Sequence, residues 1–505
     1  MPQLTKSLFV AGRRCHDLLW WRVHEPEAEE LAPDVALEGL FEQGRRVGLA
    51  ARDRVPGGVL IEAEGRSIAE RARATAEALE GGARVLYEAA FLADEVFVAV
   101  DILERAAGSD AGFHLIEVKS STSVKQEHIP DVAIQMHVLR RSGLEVDRAV
   151  VMHLNKECRY PDLEDLFVRE DVTEAVEELL PEIPGEIEAQ LEVLDGAFPE
   201  GGFGRHCLDE QDCPFHDRCW PEENSEHVLT LYRVGSEKKW ELIEEGIESI
   251  RDLDARSRGL NKTAQRQVRS VLAGERIQGR GLARALTAQA PKGDRLAYLD
   301  FETVQRAIPV WEGCGPWAQM PVQFSCHRER KPGWPEHFEF LAESGEDCRE
   351  ALSEALVEAV FGDRGGGEVT GVVAYNAGFE RTCLRGLAAA VPRLAGELEA
   401  IADRLVDLLP LVRNYVYDPG FLGSFGLKSV LPALLPAVTY DDLEVADGAT
   451  ASLYLSRLLF EPERVPEEER EPLRRKLLAY CERDTWATVR LLEKLRELGE
   501  PGQGE

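Results

Sequence analysis

The sequence predicts an α/β protein, with an α/β core at each end and a small helical connector between them. In residues 1–180, apolar runs of strand length alternate with helical patterns and are separated by turns such as AAGSDAG. Strands precede helices again from the run RLAYLDFET onwards. The chain has 505 residues. Because domains usually have about 100–200 residues, we expect roughly two to four of them.

The first predicted domain covers residues 1–222. Its strand candidates are the apolar runs RVLYEAAFLA, VFVAVDIL, FHLIEVKS and RAVVMHL. An acidic tract with helical periodicity at 169–196 follows and leads into a cysteine-bearing segment, HCLDEQDCPFHDRCW, at 206–220. The run PEENSEH at 221–227 has the composition of an exit linker.

Two further domains are expected after this linker. Residues 223–290 predict short helices around a glycine turn and are locally rich in lysine and arginine. They favour a connector, with a helix-hairpin-helix module as the alternative. Residues 291–505 contain a buried-strand candidate, GEVTGVVAYN, and a long amphipathic helix at 477–498.

Composition limits the function classes. With 44% hydrophobic and 30% charged residues, the chain can build cores and remain soluble. No apolar run reaches the roughly 20 residues of a membrane span, and the N-terminus has no signal-peptide cleavage site, so we expect a cytoplasmic protein. The net charge of −33 argues against a uniformly positive surface for nucleic acid and leaves room for a local basic channel or metal-bridged contacts.

The first group of candidate catalytic residues lies between positions 101 and 135. Asp101 in VAVDIL is followed, sixteen residues later, by IEVKSS, where Glu117 and Lys119 alternate and so project from one strand face. Two carboxylates hold Mg²⁺ or Mn²⁺, the metal activates a water molecule, and the lysine stabilises charge on a phosphate. These residue types therefore predict phosphodiester hydrolysis.

Three evenly spaced cysteines, Cys207, Cys213 and Cys219, form a second candidate site. Three thiolates need a fourth ligand, and Cys15 is the candidate. An iron-sulfur cluster is the favoured interpretation. The alternatives are zinc, with His206 or His216 as a partner ligand, or unligated thiols. The remaining cysteines are isolated and are expected to be buried free thiols.

A third candidate site is spread over residues 298–484. Asp300 and Glu302 alternate in YLDFET and can reach the same metals. Three further motifs extend the set: VVAYNAGFE with Asn376 and Glu380, YCERDTWATVRLL with Tyr480 and Asp484, and a glycine-rich stretch with Asp407, Arg413 and Lys428. Arg413 and Lys428 are candidates for phosphate contacts.

The N-terminal motifs resemble the PD-(D/E)xK nuclease superfamily. Gln135 in DVAIQMHVL matches its RecB-like branch, and Glu88 in LYEAAF resembles a recurrent acidic position there. The resemblance implies a restriction-endonuclease-like core in which Asp101 and Glu117 bind metal and Lys119 and Gln135 complete the catalytic set. Many RecB-like nucleases have a metal-binding histidine where this chain has Gly48.

The cysteine layout resembles that of AddB-like and CRISPR spacer-acquisition nucleases. These have one cysteine before the nuclease core and three after it, and the four hold a [4Fe-4S] cluster. The resemblance implies that such a cluster connects the two ends of the first domain, with Cys15, Cys207, Cys213 and Cys219 as its ligands. Those families usually have a C-x-x-C pair, whereas both gaps here contain five residues.

The C-terminal motifs resemble the DEDD exonucleases of the RNase H-like fold. That resemblance implies that Asp300 bridges two metal ions, that Glu302 and Asp484 complete their shells, and that Tyr480 orients the attacking water. Glu380 stands where the family has aspartate. The whole arrangement, with GSFGLKSVLP between its motifs, resembles a bacterial family described as a domain of unknown function.

These resemblances predict a protein with two nuclease domains that acts on DNA in repair, recombination or defence, with Mg²⁺ or Mn²⁺ and a [4Fe-4S] cluster as cofactors. The C-terminal domain is expected to be a 3'-5' exonuclease. One alternative is an RNA exonuclease. The other is a DNA-end-binding protein whose N-terminal domain does not cleave, which the glycine at position 48 favours.

Overall fold

The computed structural model describes residues 3–106, 112–208, 213–220, 226–253, 259–331, 333–362 and 369–500. The chain forms two compact units. Residues 1–221 and 306–318 make up the N-terminal unit, and residues 222–305 and 319–505 make up the C-terminal unit. Both are mixed α/β, which confirms the predicted class. Most of the predicted AAGSDAG turn and of the PEENSEH linker lies outside the described residues.

In the N-terminal unit the elements follow one another as β1 (Leu4–Thr5), α1 (Lys6–Arg14), α2 (His16–His24), α3 (Val35–Asp53), β2 (Val59–Leu60), α4 (Ile68–Glu80), β3 (Val85–Ala93), β4 (Val96–Arg105), β5 (Gly112–Lys119), α5 (His128–Arg141), β6 (Glu145–Leu154), β7 (Phe167–Asp171), α6 (Thr173–Leu179), α7 (Ile183–Asp195) and α8 (His216–Cys219). Local signals fix several boundaries. α3 begins after Asp34, whose side chain accepts a hydrogen bond from Leu37 N, and α4 begins with a capping box of Ser67 and Glu70.

A mixed sheet forms the centre of the N-terminal unit. Its strands follow the order β2-β3-β4-β5-β6-β7, and β1 pairs with β4 off this path. β3, β4 and β5 are antiparallel neighbours, β5 and β6 are parallel, and β7 is antiparallel to β6. Parallel neighbours require a crossover, and α5 provides it between β5 and β6. α5 buries Val132, Ile134, Met136 and Val138 in the core.

In the C-terminal unit the elements follow one another as α9 (Ser236–Glu244), α10 (Lys262–Ala273), β8 (Ile277–Gln278), α11 (Leu282–Gln289), β9 (Leu296–Val304), β10 (Met320–Lys331), β11 (Trp334–Leu341), α12 (Arg349–Phe361), β12 (Gly371–Ala374), α13 (Gly378–Ala390), α14 (Ala395–Asp403), β13 (Leu405–Asp407), α15 (Leu408–Tyr415), β14 (Val416–Tyr417), α16 (Leu427–Leu434), α17 (Gly448–Phe460) and α18 (Glu467–Leu498). Its main sheet has the order β11-β10-β9-β12-β13. β9, β10 and β11 are antiparallel, and β12 and β13 continue the sheet in parallel with β9.

The two faces of this sheet are covered by different helices. Leu299 and Phe301 of β9 face α12, α13 and α14, whereas Leu296 and Tyr298 pack with α11, α15, α16 and α18. Since side chains alternate along a strand, Asp300 and Glu302 lie on the second of these faces. No helix in the described parts of the chain is long and apolar enough to cross a membrane.

Candidate functional site

Four predicted metal-binding carboxylates come together in the C-terminal unit. Asp300 and Glu302 lie on β9, Glu380 on the first turn of α13, and Asp484 on α18. Burial raises the pKa of Asp300 well above its usual range, and the negative charges of Asp484, Glu302 and Glu380 raise it further. The structure thus assembles, from three separate segments, the acidic residues that the sequence singled out.

The electrostatics of this acidic cluster are unfavourable without a cation. Burial, followed by the charge of Asp484, raises the pKa of Glu302 to about 8. Burial likewise raises the pKa of Glu380 to about 8, and it raises the pKa of Asp484. Like charges that share a buried site disfavour ionisation unless a positive charge compensates them. A bound cation would supply that charge.

The helix α18 contributes two further side chains to this site, Tyr480 and Cys481. The Cys481 thiol donates a hydrogen bond to Oδ2 of Asp300, with 3.3 Å between sulfur and oxygen. Asp300, Glu302 and Cys481 each offer one ligand atom, and these three atoms lie within 4.8 Å of one another. Burial and the neighbouring carboxylates raise the pKa of Tyr480, so its phenol keeps its proton at neutral pH.

Lys428 is a cation beside this cluster. Its Nζ lies 3.4 Å from Oη of Tyr480, and 5.2 Å and 5.4 Å from the ring centroids of Tyr480 and Tyr440. The Tyr440 hydroxyl donates a hydrogen bond to Oδ1 of Asp484. The positive charge of Lys428 lowers the pKa of Glu302 and Asp484, but burial keeps both raised. Lys428 therefore compensates the cluster only in part.

The other two predicted substrate-contacting residues, Asn376 and Arg413, make different contacts. Asn376, between β12 and α13, has a φ of 67°, and its N–H donates to Oδ1 of Asp407 at 3.0 Å. Asp407 is therefore a turn-stabilising residue at the end of β13. Arg413 lies on α15, where its charge lowers the pKa of Tyr375, which burial raises.

Sequence reasoning missed Cys481 and Tyr440. Cys481 could have been found, because it lies three residues before Asp484 on α18 and so shares its helix face. Tyr440 is 44 residues from Asp484, and no local pattern marks that contact.

The donor atoms of this site fit a divalent cation. Oε2 of Glu380 and Oε1 of Gln323 are buried and have no hydrogen-bond partner within the described chain. Gln323 lies opposite Glu302 in the β9–β10 register, so the two side chains share a face. Carboxylate and amide oxygens are the ligands that Mg²⁺ and Mn²⁺ prefer.

The predicted N-terminal residues also meet. Oδ2 of Asp101 on β4 accepts a hydrogen bond from Val118 N at 2.7 Å. Nζ of Lys119 lies 2.8 Å from Oε1 of Glu117, and Nε2 of Gln135 lies 2.8 Å from Oε2 of the same carboxylate. Both oxygens of Glu117 are therefore held by protein donors.

Two residues that the sequence did not identify complete this N-terminal cluster. Nζ of Lys6, the first residue of α1, lies 2.9 Å from Oε1 of Glu117 and 3.3 Å from Oδ1 of Asp131. Asp131 on α5 also pairs with Lys119. Asp131 precedes Gln135 by four residues and shares its helix face, which is a usable signal. No local sequence signal marks Lys6, because 111 residues separate it from Glu117.

Lysine compensation distinguishes the N-terminal cluster from the C-terminal one. Burial disfavours the charge of Glu117, but Lys6 and Lys119 outweigh it and hold the pKa of Glu117 well below its usual range. Burial, and then Glu117, raise the pKa of Asp101 to about 7. The charge of Glu117 is thus compensated by two lysines of the protein, whereas the pKa of Asp101 lies near neutral pH.

A cavity of about 580 Å³ opens onto this N-terminal cluster. Its lining includes Gly48 on α3, Glu88, Asp101 and Glu117. Glu88 has a φ of 55°, which is uncommon for a non-glycine residue, and it pairs with Arg52 at 2.6 Å. A Cβ built on Gly48 would meet no atom within 4 Å, so the position has room for a side chain.

The segment 306–318 belongs to the same unit and lies beside this cavity. Nε1 of Trp317 donates to the carbonyl oxygen of Ser120, which lines the cavity, at 2.6 Å. The N–H of Ala307 donates to Oε1 of Gln43 at 3.2 Å. Nothing in the sequence predicted that this segment would join the N-terminal unit.

The four predicted cluster cysteines are neighbours. Cys15 lies between α1 and α2, and the other three lie in the segment around α8. Burial raises the pKa of Cys219 to about 11, and the charges of Cys207, Cys15 and Cys213 contribute further. Burial also raises the pKa of Cys15, with a smaller contribution from Cys207. The structure thus brings together thiols that are separated by about 190 residues in sequence.

The histidines that could have completed a zinc site have other neighbours. The ring of His216 stacks on Trp220 with 4.4 Å between centroids, and its Nδ1 lies 3.3 Å from Oδ1 of Asp217. His206 lies in the short turn Arg205–Leu208 next to Gly204.

Comparison with known proteins gives one match. No curated protein matches the chain. A family model described as a domain of unknown function, DUF2779, matches residues 297–426. This stretch includes Asp300, Glu302 and Glu380 and ends before Lys428 and α18. A DUF2779 domain is therefore found in this chain. It lies mostly in the C-terminal unit and includes the segment 306–318 of the N-terminal unit.

Proposed function

We propose that the C-terminal unit is a metal-dependent nuclease that hydrolyses phosphodiester bonds of nucleic acid. The observation that carries this proposal is the cluster of four carboxylates, of which Glu302 and Glu380 are buried and Asp300 and Asp484 are half-buried. Lys428 compensates their charges only in part. Two divalent cations held there would activate a water molecule and stabilise the attacking and leaving oxygens of the phosphate.

The remaining side chains have roles that follow from their positions. Tyr480 keeps its phenolic proton and can hold the attacking water by a hydrogen bond. Lys428, exposed beside Tyr480, is positioned to attract a phosphate group. Tyr440 holds Asp484 through its hydroxyl and so orients that carboxylate.

Two further features support a DEDD-type exonuclease. Three antiparallel strands continued by two parallel strands suit an RNase H-like sheet. The order D-x-E, N-x-x-x-E and Y-x-x-x-D along the chain is that of DEDD enzymes, with Glu380 in place of aspartate. DNA is the proposed substrate and RNA the alternative.

For the N-terminal unit, we propose a restriction-endonuclease-like domain closed by a [4Fe-4S] cluster on Cys15, Cys207, Cys213 and Cys219. A specific observation favours binding of a DNA end over cleavage here. Lys6, Lys119 and Gln135 already occupy both oxygens of Glu117, and position 48 lacks the histidine of related nucleases. A metal ion would have to displace these donors.

Digestion of end-labelled single-stranded DNA, double-stranded DNA and RNA with Mn²⁺ tests both proposals. Asp300→Asn should lower cleavage by at least about 100-fold, whereas Asp403→Asn, an exposed substitution in the same unit, should not change it. Asp101→Asn should leave cleavage intact if the N-terminal unit only binds. A distinct activity lost in Asp101→Asn would instead assign a second nuclease to that unit.

A further inference from the structure

We infer that Cys481 is a metal ligand of the C-terminal site, and that its sulfur makes the site bind Zn²⁺ in preference to Mg²⁺. This inference rests on the metal site of the proposed function, but it does not depend on the nucleic-acid substrate. It predicts a mixed oxygen and sulfur site, in which Zn²⁺ competes with the cations that support cleavage.

The geometry carries the first step. Cys481 is fully buried on α18, and its sulfur lies 3.3 Å from Oδ2 of Asp300. Ligand atoms of Cys481, Asp300 and Glu302 lie within 4.8 Å of one another. With zinc–sulfur bonds of about 2.3 Å and zinc–oxygen bonds of about 2.1 Å, tetrahedral ligands are about 3.6 Å apart. A zinc ion therefore fits between these atoms with small side-chain shifts.

Two unpaired oxygens provide independent support for a ligand at this place. Glu380 is 3% exposed and Gln323 is fully buried. Neither Oε2 of Glu380 nor Oε1 of Gln323 has a partner among the described residues. Buried polar atoms without partners are costly in folded proteins. Their position beside Asp300 and Glu302 points to a cation that would satisfy them.

The chemistry of sulfur gives the selectivity. Thiolates favour Zn²⁺ and other thiophilic ions, whereas Mg²⁺ prefers oxygen ligands and an octahedral shell. When a cation binds, the metal–sulfur bond replaces the hydrogen bond from the Cys481 thiol to Asp300, and the thiol proton leaves to solvent. No electron transfer is involved. Glu302 and Glu380 remain available as oxygen ligands.

Calorimetric titration of the full chain with Zn²⁺, in excess Mg²⁺, tests the inference. Cys481→Ala should weaken one Zn²⁺ site by about tenfold or more, and Asp300→Asn should weaken the same site. Cys326→Ala is the matched control, because Cys326 is equally buried but faces the opposite side of the sheet. The four N-terminal cysteines are present in every variant, so their binding cancels in the comparison. Equal Zn²⁺ affinity of Cys481→Ala and wild type overturns the inference.

If the Cys481→Ala variant does not fold, a second measurement on the wild-type protein tests the inference. In crystals of the wild-type protein soaked with Zn²⁺, anomalous scattering should place an ion about 2.3 Å from Sγ of Cys481. An ion held there by carboxylates alone overturns the inference.

Mn²⁺ binding and cleavage by the wild type distinguish failure of the proposed nuclease from failure of the proposed sulfur ligand. A protein that binds Zn²⁺ through Cys481 but cleaves nothing overturns only the nuclease, and one that cleaves with equal Zn²⁺ affinity in Cys481→Ala overturns only the sulfur ligand.

Discussion

Nζ of Lys6 lies 2.9 Å from Oε1 of Glu117, across 111 residues of sequence. The contact links the start of α1 to the centre of the main sheet of the N-terminal unit, and it is largely shielded from water, since the Glu117 side chain is 3% exposed. Lys6→Met should lower the free energy of unfolding of this unit by about 1.5–3 kcal/mol, because it removes a charge-assisted hydrogen bond. Urea unfolding of the full chain measures the change.

Lys125→Met is the control for the Lys6 prediction. Lys125 pairs with Glu127 at the surface, and its side chain is 57% exposed. Exposed pairs contribute about 0–1 kcal/mol, so this variant should change unfolding little. A loss no larger in Lys6→Met than in Lys125→Met would show that the Lys6 contact is not a stabilising one.

Gly48→His should increase the Mn²⁺ affinity of the N-terminal site. The position lines the cavity that also contains Asp101, and it has room for a side chain. An imidazole is a good ligand for Mn²⁺ when carboxylates are nearby. Calorimetry should be done in an Asp300→Asn background, so that the C-terminal site does not contribute.

Gly48→Ala is the matched control for this gain. Replacing a helical glycine by alanine stabilises α3 by up to about 1 kcal/mol without adding a ligand. The histidine variant should therefore bind Mn²⁺ more tightly than the alanine variant. Equal affinities would mean that the cavity cannot accept the metal even with the histidine restored.

The metal-free C-terminal unit should lose stability as the pH rises from about 4.5 to about 8. Glu302 and Glu380 have an ordinary pKa of 4.5, and each has a pKa of about 8 in the folded chain. In this range the folded state binds more protons than the unfolded state, so the free energy of unfolding falls, by up to about 1.4 kcal/mol per pH unit for each carboxyl group. Thermal unfolding at several pH values, in chelator, measures the slope.

Two comparisons test the origin of this slope. Glu302→Gln should reduce it, and Glu399→Gln, at an exposed position on α14, should leave it unchanged. Saturating Mn²⁺ should also abolish it, because the bound cation keeps the carboxylates ionised. A slope that is the same in Glu302→Gln would mean that other groups cause the pH dependence.

Protein purified without oxygen should contain iron and sulfide and absorb visible light. Cys213→Ser should lose both, since it removes one of the four neighbouring thiols, and the N-terminal unit should unfold at a lower temperature. Cys158→Ser, at a buried position in the same unit, is the control. If the wild type instead contains zinc and does not absorb visible light, the four cysteines form a structural zinc site and not an iron-sulfur cluster.

Local patterns predicted much of the fold, because strands depend on short-range alternation and apolar runs. The runs RVLYEAAFLA, VFVAVDIL and FHLIEVKS coincide with β3, β4 and β5. Contacts between distant segments were not predictable in this way. The pairing of β1 with β4, the contact of Lys6 with Glu117, and the place of residues 306–318 depend on the path of the chain.

The same distinction applies to the candidate sites. Asp300 and Glu302 were found because alternate residues on a strand share a face, and Tyr480 and Asp484 because residues four apart share a helix face. Two of their neighbours, Tyr440 and Gln323, come from other segments of the chain and carry no motif.

The central claim is that cations bound at Asp300 drive cleavage, and one titration tests it most directly. Mn²⁺ binding and cleavage of end-labelled DNA and RNA should be measured on the same samples over the same Mn²⁺ range. We predict that both rise together in the wild type and in Asp403→Asn, and that both are lost in Asp300→Asn. Cleavage that persists in Asp300→Asn, or a wild type that binds Mn²⁺ there and cleaves none of the substrates, would contradict the claim.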